Sequence, residues 1–331
     1  MNTLHKVAMT GGTGFIGAAL LPALHAQGLS VRLLSRVSAT TQFPADIDVC
    51  SGDLADTAAL STLVQGVDCV LHLAGYAHAM SKPHPGEIER HRRINLHGTQ
   101  NLFEAAAAAG VRRFVFVSSV KAGGEDAHEC LNEASARLPA DPYGQIKRET
   151  EDWLFEHGAR RGVEISVLRP ALVYGPGVKG NLAAMLRAID RDRFPPVPET
   201  HNIRSMVGVQ DVVHAVLAAA LRSEAAGQVC ILDDGEAYST RRIYTAMASA
   251  LGKPIPSWSL PASALRALGR VGDVGERLLR RSLPFNSTLA ARLLDSACYR
   301  SIHADTVLGF KPQSRLEDVL SAMVRAYRGQ A

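Results

Sequence analysis

The chain has 331 residues, of which 47% are hydrophobic and 21% charged, and its formal net charge is +4. These values are typical of a folded globular protein and exclude extended disorder. The slight positive charge suits anionic small molecules, but without a basic stripe it argues against nucleic-acid binding.

Four further patterns concern compartment and metals. No apolar run approaches the roughly 20 residues that span a bilayer, and the N-terminus enters a strand without the basic and apolar regions of a signal peptide. The cysteines are widely separated and show no paired spacing: Cys50, Cys69, Cys130, Cys230 and Cys298. We therefore expect a cytoplasmic protein with reduced thiols. The scattered histidines predict no metal site.

The first half of the chain alternates short apolar runs with longer amphipathic stretches. The runs typical of strands are Lys6–Met9, Ser30–Leu34, Val67–Ala74, Arg113–Ser118 and Glu164–Arg169. The helical stretches are Ile16–Gln27, Thr57–Gln65, Ile88–Ala109 and Pro142–Arg161. This alternation predicts an α/β fold, a Rossmann-type doubly wound parallel sheet with right-handed crossovers.

After Tyr174 the alternation breaks. Gln210–Arg222 is typical of a further helix and Gln228–Leu232 of a further strand, and the remainder is mainly helical. We expect residues 1–174, with about 205–232, to form the sheet domain. Residues 175–204 and 233–331 are expected to form a smaller, mainly helical C-terminal lobe.

A glycine-rich loop, Thr10–Gly17, follows the first strand and opens the first helix. Its three spaced glycines permit a tight turn, a close backbone approach to a pyrophosphate and close packing of helix on strand. The helix N-terminus adds free N–H groups for phosphate. The sequence therefore predicts dinucleotide binding, by Gly11, Thr13, Gly14, Phe15, Ile16 and Gly17.

The end of the second strand bears on the type of cofactor. An acidic residue there favours NAD, and an arginine favours the 2′-phosphate of NADP. The chain has Ser35 in the acidic position and Arg36 after it. NADP is therefore the favoured cofactor, with NAD as the alternative if Arg36 is only a solvated surface residue.

Two later strand ends complete the predicted cofactor site. Asp53 and Leu54 follow a short strand, where the aspartate either bonds the adenine or simply makes a turn. The small residues of Leu73-Ala74-Gly75 would let a nucleotide lie over the sheet edge. His72 before them is expected to be a packed strand residue.

Tyr143 and Lys147 are four residues apart in a predicted helix, so they share one face. A tyrosine that exchanges a proton near neutral pH needs its pKa lowered from about 10, which a neighbouring ammonium favours. The lysine can also reach the nicotinamide ribose. Ser118 ends the apolar run Arg113–Ser118 and Ser119 follows it, at a strand end where a hydroxyl can orient a substrate oxygen.

Taken in order, these motifs resemble the extended short-chain dehydrogenases/reductases, the NAD-dependent epimerase/dehydratase family. The motifs that carry the resemblance are Thr10–Gly17, Asp53, Leu73-Ala74-Gly75, Asn95 to Thr99, Ser118-Ser119, Tyr143 to Lys147, Arg169-Pro170 and Tyr174-Gly175-Pro176-Gly177. The chain looks most like bacterial UDP-glucose 4-epimerases and the dehydrogenases/reductases of UDP-N-acetyl-quinovosamine at C4.

The resemblance implies a role for each matching residue. Ser119 would be the catalytic hydroxyl, Tyr143 the acid/base and Lys147 its partner. Asn95 would support the active-site helix through a backbone or water contact. The implied cofactor residues include Asn95, Tyr143, Lys147 and Pro170, and the implied substrate residues are Ser118, Ser119, Lys121, Asn181 and Arg204.

The resemblance also implies a function, NAD(P)-linked hydride transfer at C4 of a UDP-linked hexose for surface-polysaccharide precursors. Epimerases hold NAD tightly, so selection of NADP by Arg36 would favour net redox chemistry. Two alternatives remain: a dehydrogenase of a lipid or steroid-like alcohol, and a non-catalytic cofactor sensor. A homodimer is common in this family.

One stretch near the C-terminus combines leucines with arginines. It contains Leu265, Arg266, Leu268, Arg270, Val271, Arg277, Leu278, Leu279, Arg280 and Arg281. We expect it to pack its leucines and solvate its arginines, so that no membrane contact is expected. Contact with an anionic membrane surface or a partner is the alternative.

Overall fold

The computed structural model describes residues 4–36, 43–44, 47–76, 85–279, 281, 283 and 285–329. Its strands are β1 (Lys6–Thr10), β2 (Ser30–Ser35), β3 (Asp48–Ser51), β4 (Cys69–His72), β5 (Arg113–Val117), β6 (Glu164–Pro170), β7 (Leu172–Tyr174), β8 (Met206–Gly208) and β9 (Val229–Leu232). Its α-helices are α1 (Phe15–Ala26), α2 (Thr57–Val64), α3 (Pro85–His91), α4 (Gly98–Ala108), α5 (Pro142–Arg161), α6 (Gly180–Asp190), α7 (Val209–Leu221), α8 (Thr240–Leu251), α9 (Ala262–Leu279), α10 (Ser287–Leu294), α11 (Ala304–Leu308) and α12 (Leu316–Tyr327).

Seven strands form one parallel sheet in the order β3-β2-β1-β4-β5-β6-β9. The predicted doubly wound sheet is therefore confirmed. One apolar cluster includes residues of α1 and α7, and a second includes residues of α2, α4 and α5. Because the strand order reverses between β1 and β4, their carboxyl ends border the crevice where such sheets bind ligands.

The helix α5 has a well-defined start and end. The Asp141 side chain accepts a hydrogen bond from the Gly144 N–H at 3.1 Å, and Pro142 occupies the first turn, where its missing N–H costs nothing. Gly162 ends the helix in a left-handed conformation with φ of 69°. These ends fix the register at which Tyr143 and Lys147 face the sheet.

The prediction of a single helix over Ile88–Ala109 is wrong in detail. The observed helical region begins earlier, at Pro85, and a π-helical segment, Arg92–His97, separates α3 from α4. Such wide turns are common at functional sites, and this one contains Asn95. Periodicity could not reveal it, because one inserted residue shifts the apolar stripe only slightly.

The C-terminal part has an apolar cluster of its own. It joins residues of α6, α8, α9, α10 and α12 around Tyr174, Tyr238 and Met206. A small two-stranded parallel sheet, β7 with β8, lies beside the main one. We propose that the chain divides into a sheet domain and a substrate lobe. The separate apolar cluster of the C-terminal part supports this proposal.

Two expectations about side chains are wrong. In α9 the side chains of Leu268, Val271, Leu278 and Leu279 are exposed, and of the predicted leucines only Leu265 is buried. The predicted Arg280 lies outside the described residues. In the described part of the chain no helix combines the length and apolar content that crossing a membrane requires.

The second error concerns the thiols, because Cys130 and Cys298 form a disulfide. They are 168 residues apart in sequence, but their Cα atoms are 4.4 Å apart. The cause is an isolated parallel bridge between Leu131 and Tyr299, in which the Leu131 N–H donates to the Cys298 carbonyl at 2.9 Å. Sequence spacing could not show a pairing that only the tertiary fold creates. Cys50, Cys69 and Cys230 are free, as expected.

Candidate active site

A cavity of about 1080 Å³ lies between the strand ends and the C-terminal lobe. Its lining includes Ser119, Lys121, Tyr143, Asn181 and Arg204. The fold thus brings together five residues that sequence reasoning selected from four separate segments. Ser118 and Lys147 do not line it and lie behind it.

Tyr143 is half-buried in the first turn of α5. Burial and the nearby Asp141 carboxylate raise the pKa of its phenol to about 12, against a lowering by the Ser119 hydroxyl. The pKa of Tyr143 is thus raised, whereas from the sequence we expected the Lys147 ammonium to lower it. The phenol is held protonated at neutral pH, which suits a group that donates a proton to a substrate oxygen.

Lys147 lies one turn further along α5 and is buried. Its Nζ donates to the Val117 carbonyl at 3.1 Å and lies 4.4 Å from the centre of the Phe116 ring. Burial lowers the pKa of this ammonium to about 8, while the Glu151 carboxylate acts to raise it. The lysine therefore titrates close to neutral pH, as groups at reactive sites often do.

Beneath this pair lies a buried network that sequence reasoning missed. Glu151, one turn after Lys147, accepts hydrogen bonds from Arg169 Nε at 3.1 and 3.2 Å. It also accepts the hydroxyl of Ser118. The expected substrate role of Ser118 is therefore not supported, because neighbouring side chains of an extended strand point to opposite sides. Spacing could have indicated Glu151, since residues 143, 147 and 151 share a helix face.

The glycine loop fits a dinucleotide. Gly11 has φ of 80°, and a Cβ there would lie 2.6 Å from the Ala74 nitrogen, so the loop lies directly against the end of β4. No side chain of the described residues caps α1 at Gly14. The first N–H groups of α1 are thus available to an anion, which is how such helices bind pyrophosphate. A cofactor bound there would extend past Leu73 to Gly75 towards Lys147.

Two strand ends lie where the adenosine part of a bound cofactor is expected. Ser35 is buried, while Arg36 is exposed at the end of β2, a position compatible with a 2′-phosphate contact. Asp53 accepts a hydrogen bond from the Ala55 N–H at 2.8 Å, so it does make a turn. Leu54 packs with the apolar cluster under α2 and α4.

Asn95 fixes the backbone beside the site. Its side chain exchanges two hydrogen bonds with the Tyr76 backbone, at 2.7 and 3.0 Å. Its own carbonyl accepts the Thr150 hydroxyl of α5 at 3.4 Å. His72 is buried and contacts the hydroxyls of Thr10 and Thr99 at 2.6 and 2.8 Å, which confirms a packed strand residue. Burial lowers the pKa of His72 to about 3, so it carries no charge.

The far side of the cavity is cationic. The Arg204 guanidinium contacts the carbonyls of Arg292 and Asp295 at 3.2 and 3.4 Å, and no carboxylate of a described residue lies within ion-pair distance. Burial lowers the pKa of this group. Further cationic residues of the lining were missed by sequence reasoning: Arg266, Arg270 and Arg292. Arg266 and Arg270 belong to α9 and Arg292 to α10, and no motif connects these helices with the sheet residues of the site.

This chain is similar to known proteins in sequence and in fold. The sequence model of the NAD dependent epimerase/dehydratase family matches residues 7–232. UDP-glucose 4-epimerase of Vibrio cholerae is 28% identical over 327 residues, 97% of this chain and 95% of that protein. Ceramide reductase of Caulobacter vibrioides (strain NA1000 / CB15N) is 31% identical over 296 residues, 87% of this chain and 84% of that protein. The solved structure of MoeE5 in complex with UDP-glucose and NAD has a TM-score of 0.76 at 25% identity, covering 98% of this chain and 99% of MoeE5.

The family match runs from β1 to β9 and so includes every strand end that borders the cavity. The chain therefore belongs to the NAD dependent epimerase/dehydratase family, a family of NAD(P)-dependent oxidoreductases and epimerases with the short-chain dehydrogenase fold.

Proposed function

We propose that this protein catalyses NAD(P)-linked hydride transfer at C4 of a UDP-linked hexose, as a 4-ketoreductase/dehydrogenase or a 4-epimerase. The observation that carries the proposal is the cationic Arg204 in the same cavity as Tyr143. An arginine without a carboxylate partner is costly to bury, and its planar fork matches the oxygens of a diphosphate.

Each residue has a role in this proposal. The bound nicotinamide supplies or accepts the hydride. Tyr143, protonated because its pKa is about 12, donates its proton to the C4 oxygen during reduction and becomes a phenolate. Oxidation is the reverse step, in which the phenolate accepts the proton of the C4 hydroxyl. Ser119, which lines the same cavity as Tyr143, orients that oxygen. Lys147 restores the phenol proton through its ammonium and holds the cofactor ribose.

The names of two relatives support a sugar-nucleotide substrate: the Vibrio cholerae protein is a UDP-glucose 4-epimerase, and MoeE5 is solved with UDP-glucose and NAD. With such a substrate, the products would be precursors of surface polysaccharides. The exposed Arg36 at the end of β2 favours NADP, and hence an exchanging cofactor and the reductase reaction.

A substrate panel tests the proposal. The purified protein is mixed with UDP-hexoses and their 4-keto forms, with NADPH or NADH, and cofactor absorbance and sugar products are followed. Tyr143→Phe is expected to abolish turnover while cofactor still binds, and Arg204→Ala is expected to raise KM at least tenfold. Intact turnover in Tyr143→Phe would sink the proposed mechanism.

A second candidate is reduction of a long-chain ketone lipid. The observation in its favour is the 31% identity to ceramide reductase. On such a substrate Arg204→Ala would change KM little, because no diphosphate has to be bound. Turnover of a keto-lipid with no turnover of any UDP-sugar would select this candidate.

A further inference from the structure

The outer face of α9 exposes an apolar stripe. Leu268, Val271, Val274 and Leu278 recur at spacings of three and four residues and therefore share one face of the helix. Their exposed fractions are 51%, 67%, 53% and 78%. We call these four residues the α9 stripe. Single exposed leucines are ordinary, but a stripe along one helix indicates a binding surface.

Close packing fixes which face of α9 points outwards. The opposite face is buried and includes Leu265, Gly269 and Gly272. A Cβ at Gly269 would lie 2.9 Å from the Ser287 Cα, so the helix lies close against the start of α10. α9 therefore cannot turn its stripe into the lobe without breaking this contact.

The charges beside the stripe are basic. Both acids of α9 accept backbone hydrogen bonds: the half-buried Asp273 accepts the Ser287 N–H at 3.2 Å, and the buried Glu276 accepts the Leu283 N–H at 3.0 Å. Arg277 and Arg281 are exposed, and no carboxylate of the described residues pairs with either. An apolar stripe bordered by unpaired arginines is the pattern of a helix that lies in the interface of an anionic membrane.

We propose that α9 docks the protein reversibly onto an anionic lipid surface. The α9 stripe would lie at the boundary of the acyl chains, and Arg277 and Arg281 would contact the headgroups. Charge complementarity favours an anionic membrane over a second copy of the chain as the binding partner of α9. In a dimer, the α9 helix of the second copy would bring its own arginines against those of the first. Arg266 and Arg270 of the same helix line the cavity that contains Tyr143. Docking would therefore hold the active site close to the membrane, whichever substrate it takes.

Vesicle sedimentation tests the proposal on the full chain. We expect the protein to sediment with vesicles of phosphatidylcholine and phosphatidylglycerol, much less with phosphatidylcholine alone, and to be released by high salt. Leu278→Asp and the pair Arg277→Gln with Arg281→Gln are each expected to reduce the bound fraction several-fold. These residues lie outside the proposed catalytic machinery, so cofactor binding should be unchanged.

Matched controls change equally exposed residues elsewhere. Leu138→Asp replaces a leucine that is 81% exposed, and Arg325→Gln replaces an exposed arginine of α12. Both should sediment as the unchanged protein does. Failure to sediment with either vesicle, or equal binding by Leu278→Asp, overturns the proposal. It is also overturned if sedimentation equilibrium shows a dimer that Leu278→Asp converts to monomer, since α9 would then join two copies.

Discussion

Arg169 and Glu151 form an ion pair in the interior, with Arg169 Nη2 2.5 Å from Glu151 Oε2 and both side chains almost completely buried. The pair joins the end of β6 to the middle of α5. It therefore sets the distance between the sheet edge and the helix that carries Tyr143 and Lys147. It also places a negative charge one helical turn from the Lys147 ammonium.

Replacing Glu151 with Gln is expected to affect both stability and the acid–base chemistry of the site. Leaving the Arg169 charge without a partner should cost about 3–5 kcal/mol of unfolding free energy. Loss of the carboxylate that raises the pKa of Lys147 should move the alkaline limb of the pH–rate profile to lower pH. Denaturant unfolding and the pH dependence of kcat/KM measure the two effects.

Glu149→Gln is the matched control, because Glu149 lies on the same helix but pairs with Arg92 at the surface. It should change the unfolding free energy by no more than about 1 kcal/mol. A loss of stability in Glu151→Gln without any shift of the pH profile would make Glu151 a purely structural residue rather than a positioning one.

The sequence predicted the sheet, the phosphate loop and the order of the reactive residues, because each follows from a local pattern: apolar runs, spaced glycines, or two residues on one helix turn. Helix spacing could indicate Glu151, but its pairing with Arg169, the disulfide, and the place of Arg266, Arg270 and Arg292 at the cavity could not be predicted. Each depends on residues brought together by the tertiary fold. The raised pKa of Tyr143 was missed for the same reason, since burial is a property of the packed structure.

The reductive reaction is expected to slow as the pH rises through about 8, where the buried Lys147 loses its proton. The sign follows from the lowered pKa: below that pH the ammonium can resupply the phenol, and above it the neutral amine cannot. Tyr143, with a pKa of about 12, remains protonated over this range and does not cause the decline. Initial rates of reduction across a pH series measure the limb.

The Lys147→Arg variant tests whether Lys147, rather than Tyr143, causes the decline in rate near pH 8. Arginine stays charged across the accessible pH range, so the residual activity of this variant should show no decline near the same pH. A limb that persists unchanged in Lys147→Arg would assign the titration to another group.

The disulfide between Cys130 and Cys298 is expected to hold one wall of the cavity. It ties the segment after Glu125 and Asp126 to the segment of Tyr299, and both segments line the cavity. Cys130→Ser should lower the unfolding free energy by about 2–5 kcal/mol and raise KM for substrate. Thermal unfolding with and without dithiothreitol measures the first effect: the reductant should lower Tm of the unchanged protein but not of Cys130→Ser.

Cys50→Ser is the control, because Cys50 is a free thiol far from the cavity lining. It should keep the sensitivity of Tm to reductant. A Tm of the unchanged protein that is insensitive to reductant, with two more titratable thiols than a bonded chain would have, would show that this disulfide does not form in solution.

Arg36 is expected to set the preference between NADPH and NADH. Its exposed guanidinium follows the buried Ser35 at the end of β2, where no acid competes for the ribose. A charge-assisted contact with the 2′-phosphate contributes about 1.5–3 kcal/mol, so Arg36→Ala should weaken NADPH binding roughly 10- to 100-fold. NADH binding should change little, because NADH has no phosphate there. Fluorescence titration measures the affinities for both cofactors, and Arg325→Ala is the control for loss of an exposed arginine. If the unchanged protein and Arg36→Ala bind NADPH equally well, Arg36 is only a surface residue. That result would favour a tightly held NAD and the epimerase reaction.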